Sequence, residues 1–131
     1  MNFFIKKDSN FPELQYPLIQ KILEQYNITA NMFDDVAVTF SMIDADSGLF
    51  RIANVPAELK IEKLRPQNLI EFSYTLVYKF KLHQTRKTGR FQGEFKIDFL
   101  NNDSCNLKLT LPIDDTINII ISDSITKTSV I

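Results

Sequence analysis

A single cysteine, Cys105, stands in a chain of 131 residues. It excludes an intramolecular disulfide and leaves a cysteine-built metal site without ligands. Tryptophan is absent, there are three glycines, and His83 is the only histidine. Three separated glycines cannot form a phosphate-cradling loop, and a lone histidine without a reactive cysteine beside it does not make a nucleophile–base pair. No apolar run approaches the roughly 20 residues that carry a helix across a bilayer. The opening residues Met1 to Asp8 have too short an apolar stretch, with charge on the wrong side, for a secretory signal. An excess of charge of one sign is also missing: 15 basic against 16 acidic residues leave a net −1, which argues against a surface given over to nucleic acid or anionic lipid. These absences predict a chain that is not an enzyme, holds no cofactor or metal, contacts no membrane, and folds in a reducing cytoplasm. There the triplets Asn27-Ile28-Thr29 and Asn102-Asp103-Ser104 are chance matches to the glycosylation pattern.

What is abundant is apolar surface in a two-residue rhythm. Hydrophobic residues make up 44% of the chain and eleven are Phe, enough for one domain over 1–131 with a core of its own. Phe72, Tyr74, Leu76, Tyr78, Phe80 and Leu82 alternate with Ser73, Thr75, Val77, Lys79, Lys81 and His83. After the polar run Gln84 to Arg90, Phe91, Gly93, Phe95, Ile97 and Phe99 alternate with polar residues. Side chains on a strand point alternately to opposite faces, so each stretch has one buried and one wet face. The run between them reads as a hairpin connection or a short link between sheets.

Residues 1–35 read as an N-terminal arm and helix. Asn2 to Lys7 is a short edge strand or an arm, Pro12 and Pro17 bracket a turn, and Pro17 opens a helix. Leu18, Ile19, Ile22, Leu23 and Tyr26 recur at helical spacing over two to three turns, and Asn27 ends them. Residues 36–121 read as strands. Val36, Val38, Phe40 and Met42 share a face; Asp44 to Gly48 is a turn; Phe50 and Ile52 resume inward; Ala57, Leu59 and Ile61 alternate with charges. Leu64 to Ile70 reads as a crossing between sheets and Asn101-Asn102-Asp103 as a tight turn. Cys105, Leu107, Leu109 and Leu111 form one further apolar row, with Cys105 a small core residue, and Ile117, Ile119 and Ile121 another. Residues 122–131 form a final strand or tail. About seven closely spaced strands with one short amphipathic helix predict an all-β, antiparallel sandwich. Its core buries the Phe72–Leu82 row against Val36–Met42 and Leu107–Leu111. A small barrel is the alternative packing.

Lys79, Lys81, Arg86, Lys87 and Arg90 gather positive charge around His83 and are the candidate interaction residues. A phosphate or nucleic-acid patch is one reading, but single-strand binders set aromatics beside their cations, and Tyr78 and Phe80 belong to the opposite face. A solvated or protein-facing strand, with Lys79 or Lys81 across from Glu94, is the plainer expectation. Asp44-Ala45-Asp46-Ser47-Gly48 begins like a calcium loop but lacks the later glycine and glutamate, and reads as a turn. Asp34-Asp35 and Asp114-Asp115 read as solvated loop charge.

The stretch Thr85 to Phe99 (Thr-Arg-Lys-Thr-Gly-Arg-Phe-Gln-Gly-Glu-Phe-Lys-Ile-Asp-Phe) resembles the strand signature of immunoglobulin-like β-sandwich domains in tailed-phage structural proteins. The N-terminal domain of upper baseplate proteins is the nearest case. In that group a polar loop with Thr and Gly precedes an aromatic, a Glu-Phe strand, a polar turn and a strand ending near proline. Asn102-Asp103 and Leu111-Pro112 fill the last two places here, and the resemblance runs roughly from Val36 to Ile121. The N-terminal helix and the Ser124–Ile131 tail depart from the simple module. The resemblance implies a structural component of a virion (baseplate, neck or head surface), made in a host cytoplasm. Its partners would be other virion proteins and copies of itself. A carbohydrate-binding module and a nucleic-acid-binding accessory protein are the rivals.

Overall fold

The computed structural model describes residues 1–64, 71–100 and 107–123. Among these described residues nine strands and one short helix follow in order: β1 (Asn2–Lys6), β2 (Leu14–Leu18), α1 (Gln20–Gln25), β3 (Val36–Asp44), β4 (Phe50–Pro56), β5 (Glu58–Leu64), β6 (Glu71–Tyr78), β7 (Gly89–Phe99), β8 (Leu107–Leu111) and β9 (Ile117–Ser122). Single 3-10 turns lie at Ala30–Asp34 and Leu82–Thr85. The expectation of about seven strands is exceeded because residues 1–35 supply β1 and β2, one strand to each sheet.

The larger sheet has the order β1-β9-β7-β3-β4, with β8 paired to β7. β7 is its spine. Along one side it meets β3 from Phe91↔Asp44 to Phe99↔Val36; along the other, its first half meets β9 and its second half β8. Every second β7 side chain, from Phe91 through Phe99, is buried, as the alternation predicts. The smaller sheet, β2-β6-β5, is antiparallel throughout. The larger one is mixed, because β1 runs parallel to β9.

Aromatic rings join the two sheets. Phe40 of β3 stacks on Tyr78 of β6 at 4.4 Å between ring centres and meets Phe80 edge-on at 6.0 Å. At one end Phe33, in the first 3-10 turn, stacks on Tyr74 at 4.2 Å and meets Phe99 edge-on. One core cluster draws on both sheets, with Leu14, Leu76 and Tyr78 from the smaller and Phe40, Phe95 and Ile119 from the larger. Full burial of each such side chain is worth about 1.5–3 kcal/mol.

Of the two forms expected for the Gln84–Arg90 run, the structure has the link between sheets: β6 pairs with β2 and β5, and β7 with β3, β8 and β9. Several other local expectations are corrected. The sheet change expected at Leu64–Ile70 occurs instead at Ala57, between β4 and β5, where the Ala57 N–H donates to the Val38 carbonyl at 2.9 Å. β5 and β6 are neighbours in one sheet. Pro17 does not open a helix but sits in β2, an edge strand, where a missing N–H on the open side breaks no ladder. α1 is accordingly only six residues, ended as expected by Asn27 at φ 55°. The Phe72–Leu82 row is buried only from Tyr74 to Phe80; β6 stops at Tyr78, and Phe72 and Leu82 are exposed. Leu107, at the start of β8, is exposed as well. The predicted turn at Asn101–Asp103, Cys105, and the Ser124–Ile131 tail lie outside the described residues, as do the second sequon and residues 65–70.

Candidate interaction surface

The basic residues surround the 3-10 turn at Leu82–Thr85, and two buried polar side chains hold that turn in place. The side-chain oxygen of Gln84 accepts the Tyr78 hydroxyl at 2.8 Å and the Lys81 N–H at 2.9 Å. The Thr85 hydroxyl sits against the Ser9 carbonyl at 2.8 Å and accepts the Ser9 N–H at 3.1 Å, while the Asp8 N–H reaches the Thr85 carbonyl. A stretch that sequence reads as solvated is therefore half interior. Burial is the main cause that pushes the Tyr78 hydroxyl above its usual value, with the Gln84 bond acting against it.

All five candidate cations are exposed. Lys79 pairs with Glu58 at 4.0 Å, not with Glu94, because β6 lies beside β5 rather than β7. Arg86 pairs with Asp8 at 4.0 Å and Lys87 with Asp44 at 3.7 Å. Lys81 and Arg90 make no ion pair among the described residues, and Arg51 donates to the His83 carbonyl at 3.1 Å. Acidic neighbours thus offset three of the five. Exposed pairs of this kind contribute only about 0–1 kcal/mol each, but they lower the local positive potential. Lys79 stands by β5, whereas Arg90 lies on the outer face of the larger sheet, so the five do not form one continuous patch. The Asp44 carboxylate accepts the N–H groups of Asp46 and Ser47 at 2.9 and 3.0 Å, which completes the β3–β4 turn and holds its carboxyl below the usual range. Among the described residues no group of three or more His, Cys, Asp or Glu is placed to hold a metal ion.

A second surface escapes the sequence reading. The outer face of the larger sheet divides in two. Its lower half carries paired charges: Glu94 with Lys96, and Asp98 with Lys108. Its upper half carries Phe4, Ile120, Ile43 and Phe50, with Asn2, Asn118 and Gln92 between them and Arg90 across from Ile120; Asn118 donates to the Asn2 side chain at 3.1 Å. Phe4 is 64% exposed and Phe50 66%. The predicted inward Phe50 is turned out by irregularities in β3–β4 pairing: Met42 opposes Ile52 while Ile43 opposes Phe50, so one extra residue on β4 shifts the parity. Phe50 also borders a cleft of about 320 Å³ lined by Ser41, Gln92, Glu94, Asp115 and Thr116 among others. A signal for Phe4 was present in the sequence: Phe3-Phe4 is an adjacent apolar pair on β1, and neighbours on a strand cannot both face one core. A larger cleft of about 730 Å³ lies between α1 and β6, bordered by Leu23, Ile28, Phe33, Phe72 and Tyr74 with several polar groups.

Comparison with models of known protein families, with curated proteins and with solved structures finds no match to this chain.

Proposed function

We propose that this chain is a non-enzymatic structural component of a phage virion, in a baseplate, neck or head-surface position. It acts through contacts with other virion proteins and with copies of itself. In this reading its two sheets form an immunoglobulin-like sandwich of the kind the Thr85–Phe99 signature resembles. The observation that carries the assembly part is the aromatic half of the outer sheet face, where Phe4 and Phe50 are exposed and Arg90 stands at one end. Contiguous exposed apolar surface of this sort, bordered by polar residues, marks protein contacts in soluble proteins. Two layers of paired strands with a shared core supply a rigid platform for it. Mass spectrometry of gradient-purified particles tests the reading: the chain is expected at a fixed ratio to the major structural proteins. Its absence from particles, with recovery only in the soluble lysate, removes the virion assignment.

One rival gains from a specific observation. Phe50, exposed above a cleft with Ser41, Gln92, Glu94, Asp115 and Thr116, offers the ring and hydrogen-bonding groups that a carbohydrate-binding module needs. Glycan-array binding that is lost on Phe50→Ala would favour that reading over assembly. The nucleic-acid reading loses support because Glu58, Asp8 and Asp44 sit against Lys79, Arg86 and Lys87.

A further inference from the structure

Two interruptions in the larger sheet leave a cleft on its outer face. β8 ends at Leu111, opposite Phe95, and β9 begins at Ile117, opposite Gly93. Both strands lie along the same side of β7, so the residues between them loop past Glu94. Across the sheet, the irregular β3–β4 pairing turns Phe50 outward. Between Phe50 and the loop 112–116 lies the cleft of about 320 Å³. Gln92 and Glu94, outward residues of β7, line it with Ser41 and Ile43 of β3. Every bordering residue belongs to the described part of the chain, and β9 leaves the cleft at Ile117 to end beside Lys6.

The polar groups here are mixed in kind, and some are already held in place. Asp115 accepts the Thr116 N–H at 2.7 Å, which orients its carboxylate and holds its carboxyl below the usual range. The Ser41 hydroxyl accepts the Asn54 N–H at 2.9 Å and donates to the Asn54 side-chain oxygen at 3.2 Å, so it is satisfied within the protein. Gln92, Glu94, Asp115 and Thr116 are exposed. Glu94 stands 4.0 Å from Lys96, and Asp115 stands 3.5 Å from the Met1 amino group. Each carboxylate thus has a cation beside it, and a charged ligand gains little net attraction at so exposed a site.

Hydrogen bonding beside an aromatic ring is what the cleft offers. Carboxylate oxygens only accept, and the two of one group can take two adjacent hydroxyls. Gln92 adds a donor and an acceptor, and Thr116 adds a hydroxyl. Phe50, 66% exposed, presents a ring whose negative face suits the C–H face of a sugar. A wholly apolar ligand would displace water from Glu94 and Asp115 without replacing its hydrogen bonds. The volume lies at the bottom of the roughly 300–1,000 Å³ range of small-molecule sites, enough for one sugar ring rather than a stretch of chain. We propose that this cleft binds one neutral pyranose, with its C–H face on the Phe50 ring and its hydroxyls on Gln92, Glu94 and Asp115.

Such a site rests on the carbohydrate reading of the cleft, narrows it to one ligand class, and asks nothing of the virion setting. Amide spectra of the full-length, isotope-labelled chain are recorded as methyl glucoside, methyl galactoside and methyl mannoside are added up to tens of millimolar. Glucosamine and glucuronic acid serve as charged counterparts. At least one neutral glycoside is expected to shift the Gln92, Glu94 and Thr116 amides saturably. Phe50→Ala and Glu94→Gln should each raise its dissociation constant at least roughly fivefold. Both residues are exposed, so the variants are expected to keep the wild-type spectrum elsewhere. Saturable shifts with a charged sugar alone, or shifts that lie away from the cleft or survive both substitutions, overturn the proposal and leave the carbohydrate reading standing. No shift with any of these sugars also overturns it. A glycan-array signal that persists in both variants then keeps the carbohydrate reading at another site, and a blank array removes that reading as well. Binding at the cleft by a chain absent from virions keeps this inference and removes the virion reading.

Discussion

The Tyr78 hydroxyl and the Gln84 side-chain oxygen meet at 2.8 Å in the interior, and this bond ties the link between the sheets to the end of β6. The same oxygen takes the Lys81 N–H, so one glutamine satisfies two donors where the chain leaves the smaller sheet. Removing it strands both.

Gln84→Ala is accordingly expected to cost about 1–3 kcal/mol, the penalty for a buried donor left without a partner. Tyr78→Phe removes donor and bond together, leaves Gln84 with Lys81, and costs less, about 0.5–1.5 kcal/mol. Urea unfolding of both single variants and the double variant checks this. The double variant should fall short of the sum, because the two residues share one interaction.

Gly93 lies where β7 passes between Phe40 and Ile119. A Cβ there would stand 2.9 Å from the Ile119 Cδ1 and from the Phe40 Cε1. Gly93→Ala is expected to destabilise by about 1–3 kcal/mol through overpacking. Combination with Phe40→Leu should recover part of that loss, measured again by denaturant unfolding.

Stability should fall at both ends of the pH range. Burial raises the hydroxyl pKa of Tyr16, Tyr74 and Tyr78 from the ordinary 10.0. The unfolded chain therefore gives up these protons first, and the stability they contribute is whole below pH 10 and lost as pH climbs through the raised values. For Asp44 the sign is opposite. Its carboxyl is lowered from 3.8, chiefly by the Ser47 and Asp46 N–H groups, so its contribution is present above that value and lost as pH falls through the lowered one. Thermal melting against pH should show Tyr78→Phe flattening the alkaline limb and Asp44→Asn the acid limb, while Asp44→Ala lowers the melting point at neutral pH as well.

Reversing Arg86, Lys87 and Arg90 to glutamate should change stability by less than about 1 kcal/mol, as expected for exposed charges. Neither the wild type nor the variant should show salt-dependent retention on DNA. Filter binding at low salt checks this; a wild-type signal lost in the variant would restore the nucleic-acid reading.

The sequence carried the layers but not their order. Alternation in β7 and β9, the Asp44–Gly48 turn and the stop at Asn27 were legible because each rests on local chemistry: side-chain parity, carboxylate–backbone bonds, tolerance of a positive φ. Strand pairing is not local, and so the sequence left open whether the run between Tyr78 and Phe91 is a hairpin or, as found, a change of sheet. Parity also misleads where pairing irregularities intervene, as at Phe50, and where polar side chains find partners inside, as Gln84 and Thr85 do. Of the surface, the basic residues were visible as charge, but their neutralisation by Asp8, Asp44 and Glu58 depends on tertiary contacts. The apolar upper face, built from β1, β9, β7, β3 and β4, was hidden because its residues are scattered across the chain.

Sedimentation of the full-length chain over a wide range of concentration, at physiological salt, tests most directly whether this protein works by joining other protein chains. Reversible self-association, strengthening as concentration rises and surviving added salt, is the expected behaviour of a contact surface dominated by aromatic and aliphatic side chains. A chain that sediments as a single monomer across the whole range would contradict it.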